Sequence, residues 1–413
     1  MSAVSVLYAH HESVEPARAR ARSAWGWVLD QFAQEGPRAR RFGVKFIWRW
    51  IGAHGGLSIL IFLWLLGLAC TVPKFGFGAI WESDYLNYWF APRAVRAGIN
   101  PYDVAAYQHY GLSIFPKAYP PQFNFTYPPH SLFLFWPLSY LPAYVSWVTW
   151  SVLSLAFFWV AAKRALPPGL PSFLAVLTPA TVFCLNFGQT SLIAGGLFLL
   201  AAGGSGVAAG LLTFKPQLGF LAAPLLLLKG RKPVWIAITT TIVLIILSQL
   251  IFGGWKDFVE HASGYQAGQI FDEEKKNIWY IIGTTPAMGY GRLGMVIYML
   301  VATIVLVRNF NVWTAATATF LISPYGFHYD MSVVTIGFVI LLHSYWNRMS
   351  LWQRLVASLV FLAPVIVQFG TWWIPPIVLL GLFIQTQHFP GVQLTWKNGR
   401  FALAQINQSE PGS

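Results

Sequence analysis

Charged residues are scarce in this sequence. Only 10% of its 413 residues are Asp, Glu, Lys or Arg, whereas 56% are hydrophobic. A soluble domain carries about 25% charged residues. This deficit argues against an ordinary soluble domain, and apolar runs long enough to cross hydrocarbon recur along the chain. The sequence therefore predicts an all-α, polytopic transmembrane protein, because helices satisfy their backbone hydrogen bonds internally in lipid.

Cysteine is equally scarce, and recognisable cofactor motifs are missing. The two cysteines, Cys70 and Cys184, each lie within an apolar run, which predicts buried packing rather than a disulfide. There is no Cys–His cluster, so no metal site and no cofactor are expected, although assistance by a divalent metal stays open. No Gly-rich strand–helix unit occurs, which argues against a nucleotide-binding domain. No cleavable signal peptide is predicted, because residues 1–50 are polar and rich in arginine.

Acidic residues are fewer than basic ones, 14 against 27, and their positions indicate topology. The charged residues of the short connectors expected inside are all basic. By contrast, nine of the acidic residues fall in segments expected outside. Positive charge collects on the cytoplasmic side of membrane proteins. The net charge of +13 is therefore a topology signal rather than a sign of nucleic-acid binding. We expect a cytoplasmic basic tail over 1–50, either with interfacial helices or, alternatively, disordered to about residue 40, a membrane domain over 51–390, and a cytoplasmic tail over 391–413.

The apolar runs give about twelve membrane segments. A long, aromatic, proline-rich outer segment, 73–142, follows the first span and is expected to form short interfacial helices, with a further helix over 131–141. Two pairs of runs are too short to cross alone and are expected to need shelter from neighbours. The predicted segments are 55–72, 143–162, 171–186, 190–202, 206–214, 217–228, 234–252, 294–307, 311–323, 331–346, 355–369 and 372–387.

The stretch Trp81–Tyr88 is the strongest candidate for chemistry. It contains Glu82 and Asp84 among aromatic residues just beyond the first span, and Arg93 follows. Ionisable groups beside membrane cavities are often functional. The alternative for Asp84 is a helix N-cap, and for Arg93 a solvated position on an interfacial helix.

Other polar residues are expected on the same outer side. Lys215 precedes a proline between two short helices, where it would bind a phosphate or, alternatively, extend to the interface from a helix end. His328 and Asp330 suit a base with its orienting carboxylate, a metal pair, or a polar cap on the last helices. Gln189 and His130 are also expected at this face.

Five motifs in this order resemble glycosyltransferase family 87, membrane enzymes of the GT-C fold. The motifs are Asp84-Tyr85 with Gly98–Tyr102, Tyr127-Pro128-Pro129 with Trp136-Pro137-Leu138, Gly188-Gln189, Lys215-Pro216, and Ser323-Pro324 with His328. They run from about residue 80 to 330. The family includes polyprenyl-phosphomannose-dependent mannosyltransferases that build phosphatidylinositol mannosides.

The resemblance implies an inverting hexosyltransferase of glycolipid biosynthesis in a bacterial cytoplasmic membrane. The donor would be a polyprenyl-phosphate sugar, mannose-like, and the acceptor a lipid or surface glycan on the outer face. Asp84 and His328 would be catalytic. Lys215 and Arg93 would bind phosphate, while Tyr85, Tyr88, Tyr127, His130, Gln189 and Asp330 would line the substrate site. The basic tail over 1–50 and the run Asp272–Glu274 do not belong to the family's pattern.

Two other functions fit a membrane protein with broken helices. A secondary transporter would place its substrate site at such breaks, but would be expected to show internal repeats, and none is evident. A glycan ligase or polymerase would also use polyprenyl carriers, but with larger Arg/His-rich outer loops. Membrane lipids are expected partners in every case, and nucleic acid is not.

Overall fold

The computed structural model describes residues 55–71, 80, 83–115, 124–261, 283–397 and 400–406. Most of them are helical, which agrees with the all-α expectation for the membrane part. The predicted basic tail over 1–50, the competing carboxylate Glu82 and the acidic run Asp272–Glu274 lie outside the described residues.

The described residues form a series of helices. They are α1 Gly55–Thr71, α2 Tyr85–Arg96, α3 Val104–Ile114, α4 Leu132–Phe135, α5 Ala143–Lys163, α6 Ser172–Val176, α7 Pro179–Phe187, α8 Ser191–Ala202, α9 Gly206–Leu211, α10 Pro216–Gly219, α11 Ala222–Leu227, α12 Arg231–Ile251, α13 at 255–261, α14 Pro286–Arg308, α15 Val312–Ile322, α16 Ser332–Ser344, α17 Leu351–Ile366 and α18 Ile374–His388. Short 3₁₀ turns lie at Pro129–Ser131, Leu138–Tyr140, Leu212–Phe214, His328–Met331, Trp346–Arg348, Val367–Phe369 and Thr371–Trp373.

Not all of the predicted segments form helices long enough to cross a membrane alone. Within the described residues, 4 helical stretches are long and apolar enough to span a bilayer: Ala143–Lys163, Arg231–Ile251, Pro286–Arg308 and Leu351–Phe369. Three shorter apolar helices are α1, α8 and α15. Several remaining runs are split by proline into pieces of four to nine residues, such as α6 and α7 before and at Pro179. A proline fits the first turn of a helix but costs a hydrogen bond in its interior, so it often divides an apolar run, although Pro92 in α2 and Pro364 in α17 are accommodated inside helices.

The helices differ in what they face. Leu250 in α12 and Leu293 in α14 are 77% and 73% exposed, as expected for side chains that contact lipid. By contrast, every residue of α16 from Ser332 to Leu342 is buried. A helix that is apolar all round belongs in the centre of a bundle. The core therefore lies around α16, and the loop before it, 323–331, enters the protein interior.

Lys215 lies at the tip of a helical hairpin. A Cβ on Gly204 would lie 3.6 Å from Lys229 Cγ, so the chain that leaves at residue 204 returns at 229. Between them the helical path stops at Phe214 and starts again at Pro216. The predicted break at Lys215-Pro216 is thus present, with the two short arms folded back on each other.

The predicted helix over 131–141 is wrong in extent. The structure has only α4, Leu132–Phe135, followed by a 3₁₀ turn at Leu138–Tyr140. Pro137 explains the difference, because its ring excludes the backbone hydrogen bond that would continue the helix. The resulting corner places the carbonyl of Leu141 beside α2.

The C-terminal residues add an antiparallel hairpin that the sequence analysis did not predict. Strand β1, Gly391–Lys397, pairs with β2, Arg400–Ile406, with Lys397 opposite Arg400. The sequence contains a signal for the first strand, since apolar and polar residues alternate over 391–397.

Several loops meet at one end of the helix bundle. The start of α14 joins the loop 323–331, since Gly283 bridges to Phe327 and Thr284 N donates to Gly326 O over 2.9 Å. This loop, the 188–190 turn and the start of α2 carry most of the polar residues singled out from the sequence.

Candidate active site

Asp84 and Gln189 form the centre of the site. Gln189 Nε2 donates a hydrogen bond of 2.6 Å to Asp84 Oδ2 across 105 residues of sequence. Asp84 immediately precedes α2, but its side chain makes no capping hydrogen bond. The N-cap alternative is therefore not how this carboxylate is used. Asp84 is partly buried, and its Oδ1 accepts no hydrogen bond from the described residues.

A tight turn directs Gln189 at Asp84. Helix α7 ends with Gly188 in the left-handed conformation, at φ 63°, and Gln189 N donates back to Cys184 O over 2.9 Å. This is a common helix ending, and it favours glycine because a Cβ is strained there. A Cβ on Gly188 would also lie 2.4 Å from the Cβ of Tyr85. The absence of a side chain thus lets the turn approach α2 closely.

Two tyrosines extend the contact between Asp84 and Gln189. Tyr88 OH donates to Gln189 Oε1 over 2.8 Å and lies 3.3 Å from Tyr127 OH. Tyr127 OH in turn lies 2.8 Å from Thr190 Oγ1. We refer to Asp84, Tyr88, Tyr127, Gln189 and Thr190 as the Asp84 network. Because Tyr88 binds the amide oxygen, the amide NH₂ group must face the carboxylate.

Lys215 is held in a buried ion pair. Its Nζ lies 2.6 Å from Asp330 Oδ1 and donates to Ser191 Oγ over 2.9 Å. Asp330 also accepts from Ser191 Oγ and, through Oδ2, from Phe327 N. We call Ser191, Lys215 and Asp330 the ion-pair group. An ammonium has three N–H donors, so one of those on Lys215 is not used within the described residues.

The Asp84 network and the ion-pair group are adjacent in sequence, and the charges of Lys215 and Asp330 act on Asp84. Gln189, Thr190 and Ser191 are consecutive, and each contacts a different partner. Burial raises the pKa of Asp84 to about 6, opposed by the Gln189 hydrogen bond and by Lys215, while Asp330 acts in the raising direction. Such a carboxyl group is largely ionised at neutral pH yet basic enough to take a proton.

Tyr85 and Arg93 lie outside both groups. Tyr85 is fully buried, its OH is 2.6 Å from Ser146 Oγ, and its ring stacks on Trp150. Arg93 lies over the ring of Trp89, 3.9 Å from its centroid, and donates to Leu141 O over 3.3 Å. In this structure both side chains hold α2 against its surroundings instead of joining Asp84.

The two predicted histidines also occupy separate environments. His328 is buried, with Phe183 edge-on at 4.4 Å between ring centroids and Phe187 at 5.8 Å. His130 stacks on Trp255 at 5.6 Å, and burial lowers its pKa to about 4. Neither ring is part of the Asp84 network.

Thr190 and Ser191 are the site residues that sequence reasoning missed. They follow Gly188-Gln189 directly, so three polar side chains stand in a row within an apolar stretch. That run was the available signal. Its significance depends on partners 63 and 139 residues away, Tyr127 and Asp330, which sequence position alone does not reveal.

The donor set is not that of a metal centre built from side chains alone. Within the part of the chain that the structure describes, no group of three or more His, Cys, Asp or Glu side chains is arranged to hold a metal ion. The arrangement instead offers one oriented carboxylate and a nearby ammonium with a spare donor. Such a pair can accept a proton from one group while hydrogen-bonding to an anion.

Comparison with known proteins gives one match. The family model of glycosyltransferase family 87 matches residues 125–363, more than half of the chain. The matched stretch contains the Gly188–Ser191 turn, Lys215, His328 and Asp330, whereas Asp84 precedes it. No curated protein and no solved structure matches the chain.

Proposed function

The chain belongs to glycosyltransferase family 87 and is a membrane glycosyltransferase, and we propose that it transfers a mannose-like hexose from a polyprenyl-phosphate donor. The acceptor would be a lipid-linked or surface glycan at the outer face of the membrane. Family membership favours transfer over the transport function that the broken helices also allowed. The observation that carries the assignment of residues is the partly exposed Asp84 carboxylate, oriented by Gln189.

In the proposed reaction Asp84 is the general base. An acceptor hydroxyl oxygen attacks the anomeric carbon of the donor from the face opposite the phosphate. The bond from the anomeric carbon to the phosphate oxygen breaks, its electron pair leaves with polyprenyl phosphate, and the hydroxyl proton passes to Asp84. The sugar changes anomeric configuration, so transfer is inverting. A base with a pKa slightly below the working pH is well matched to this step.

The geometry supports a specific division of labour at Asp84. Oδ2 is held by Gln189 Nε2, so Oδ1 is the oxygen available for the acceptor proton. The carboxylate fixes the orientation of the amide, because a flipped Gln189 would turn its oxygen towards Asp84 and lose that hydrogen bond, and Tyr88 supports the same orientation by donating to Oε1. Orientation by such second contacts is what keeps a base within reach of its proton.

We assign the leaving phosphate to the ion-pair group. Lys215 retains a spare N–H donor while Asp330 holds the ammonium in place. The leaving group becomes more negative as the bond breaks, so a hydrogen bond from Lys215 strengthens in the transition state. Asp330 balances the charge of the buried lysine when no donor is bound, which avoids the cost of an unpaired buried ion.

The remaining predicted residues have supporting parts in this proposal. Tyr127 and Tyr88 provide ring faces and hydroxyl groups for the sugar. His328 packs against Phe183 and shapes the loop that carries Asp330. Its direct participation in catalysis stays a prediction from the family resemblance.

Asp84→Asn tests the base assignment. The exchange removes proton acceptance but keeps the shape of the side chain, and the amide oxygen can still accept from Gln189. We expect transfer from a synthetic polyprenyl-phosphate hexose to fall by roughly 10²–10⁴-fold, the usual contribution of a general base. The measurement is the initial rate of radiolabelled hexose incorporation in membranes that contain equal amounts of protein.

The control for Asp84→Asn is its folding stability. The folded-state pKa of Asp84 is raised, so the ionised form is disfavoured in the folded protein above about pH 6. At pH 7.5 the neutral asparagine variant should therefore unfold at the same or a higher temperature than the wild type. Full transfer by a stable, membrane-inserted Asp84→Asn protein would show that Asp84 is not the base.

A further inference from the structure

A polar cavity lies beside the Asp84 network and has no role in the reaction described above. It has a volume of about 260 Å³ and is formed by the Gly98–Tyr102 turn and the Phe252–Gly254 segment, with Asp257 at its edge. The turn belongs to one of the family-like motifs, but its residues have no chemical role in the sequence analysis. Ligand pockets for drug-sized molecules begin at roughly 300 Å³, so this cavity suits one sugar ring rather than an oligosaccharide.

The polar groups of the cavity are fixed by one another. Asn100 Oδ1 accepts from Tyr102 N over 3.0 Å, and Asn100 Nδ2 donates to Asp257 Oδ2 over 2.7 Å. Asp257 is partly exposed, and its Oδ1 accepts no hydrogen bond from the described residues. The carboxylate is therefore held by one oxygen, while the other is available to a hydroxyl group of a ligand.

The walls leave room on two sides. A Cβ on Gly98 or on Gly253 would meet open space within 4 Å, so these positions border the cavity without filling it. At Gly254, by contrast, a Cβ would lie 3.1 Å from the Tyr102 ring. The lining residues thus combine an aromatic residue, an amide and a carboxylate, the side chains that commonly bind sugar hydroxyl groups and ring faces.

The charge of the cavity selects among ligands. Asp257 is the charged residue among the described residues that line it, and no lysine or arginine balances it there. A phosphate would be repelled, and a neutral polyol would donate hydroxyl protons to the carboxylate. The ligand class is therefore a neutral sugar or polyol.

A direct contact joins the cavity to the Asp84 network. Tyr102 OH donates to Tyr127 O over 2.7 Å, and the hydroxyl group of Tyr127 belongs to the network. We propose that the cavity bounded by Asn100, Tyr102 and Asp257 is a subsite for one neutral sugar or polyol ring of a substrate. The inference rests on the proposed glycosyl transfer, and it names a place where a substrate of that reaction is recognised.

The first test measures binding and needs no turnover. Methyl hexopyranosides are used as probes in saturation-transfer NMR with the full chain in detergent, in the Asp84→Asn background. Asp257→Asn should weaken binding about 10-fold or more, the factor that a hydrogen bond to a charged group commonly contributes. The new amide can still accept from Asn100, so the turn is preserved.

Asp103→Asn is the matched control. Asp103 is an exposed carboxylate close to the turn that caps α3, and asparagine is an equally good cap. Its exchange should leave probe binding unchanged. The subsite proposal is wrong if Asp257→Asn leaves the affinity for the probe unchanged. It is also wrong if Asp257→Asn and Asp103→Asn lower that affinity equally.

Kinetics with the otherwise wild-type enzyme identify the source of the ring. Asp257→Asn should raise KM several-fold for the substrate whose ring is bound. An increase confined to an acceptor-containing lipid extract assigns the cavity to the acceptor, and an increase confined to the polyprenyl-phosphate hexose assigns it to the donor sugar. If neither KM changes, the proposal is wrong. Because probe binding involves no transfer reaction, failure of the base assignment would leave the binding result intact.

Discussion

Gln189 determines which oxygen of Asp84 would be available in the proposed role as base. Its amide receives a hydrogen bond from Tyr88 on one side and donates to the carboxylate on the other. An amide held at both ends keeps one orientation, whereas a carboxylate at this position would repel Asp84. The same hydrogen bond stabilises the ionised form of Asp84 against the opposing effect of burial.

The pH dependence of transfer should follow the ionisation of Asp84. A base acts only when deprotonated, and the pKa of Asp84 is raised to about 6. We expect kcat/KM to be constant above that pH and to fall about tenfold per pH unit well below it. The measurement is the pH profile of hexose transfer at low substrate concentration, with protein stability checked at each pH.

Gln189→Leu supplies the control for that profile. It removes the hydrogen bond that lowers the pKa of Asp84 and leaves the burial that raises it. The acidic limb should therefore move to higher pH, and the rate at neutral pH should fall. A limb that stays in place after this exchange would show that another group controls the profile.

The buried Lys215 shows how the protein interior accommodates a charged side chain. Lys215 and Asp330 are almost completely buried, and each would be costly without the other. Their pairing connects the tip of the 206–228 hairpin to the loop before α16. A residue that the sequence indicated as an anion ligand is therefore also a structural connection, and the spare donor on Nζ is what the proposed phosphate contact requires.

Among the structural elements, the 188–191 turn has the greatest effect on the site. It presents Gln189, Thr190 and Ser191 to three partners from different parts of the chain. Gly188→Ala should disturb all three contacts, because the added Cβ meets Tyr85 at 2.4 Å as well as requiring a strained left-handed backbone. Left-handed strain costs roughly 1–3 kcal/mol, and overpacking adds about 1–3 kcal/mol.

Gly169→Ala separates strain from steric overlap. Gly169 is exposed, has φ 83°, and offers open space to a Cβ. We expect Gly188→Ala to lower the unfolding temperature in detergent more than Gly169→Ala does, and to reduce transfer where Gly169→Ala does not. Equal effects of the two exchanges on both measurements would mean that close approach of the turn to α2 is unimportant.

The elements also show which features local sequence could predict. The run 143–162 reads as one apolar helix and is one, and Lys215-Pro216 marks a break because proline disfavours helical backbone in the residue before it. Asp84 was identified from its motif, but the sequence could not reveal its contact with Gln189. Tyr85 shows the same limit: beside Asp84 in sequence, it turns towards Ser146 because successive helical side chains point in different directions.

At the scale of the whole molecule, the site residues and the basic residues lie at opposite ends of the helices α5 and α12. The start of α5 and the end of α12 lie with the site residues and the cavity at Asp257, whereas basic residues such as Lys163 and Arg231 stand at the other ends of those helices. The proposed polyprenyl donor would reach the protein through the membrane. The proposal therefore requires that the end of the bundle that carries Asp84 is accessible from lipid.

Cysteine labelling tests which end faces outward. Replacing Cys70 and Cys184 by alanine gives a background without thiols, and Ser113→Cys and Arg164→Cys then add one exposed thiol each. If the site faces outward, a membrane-impermeant maleimide added to intact cells should label position 113 and reach position 164 only after permeabilisation. The positive-inside distribution of lysine and arginine is the physical reason for this orientation. The reverse pattern would place Asp84 on the cytoplasmic side, where a donor presented at the outer face could not reach it.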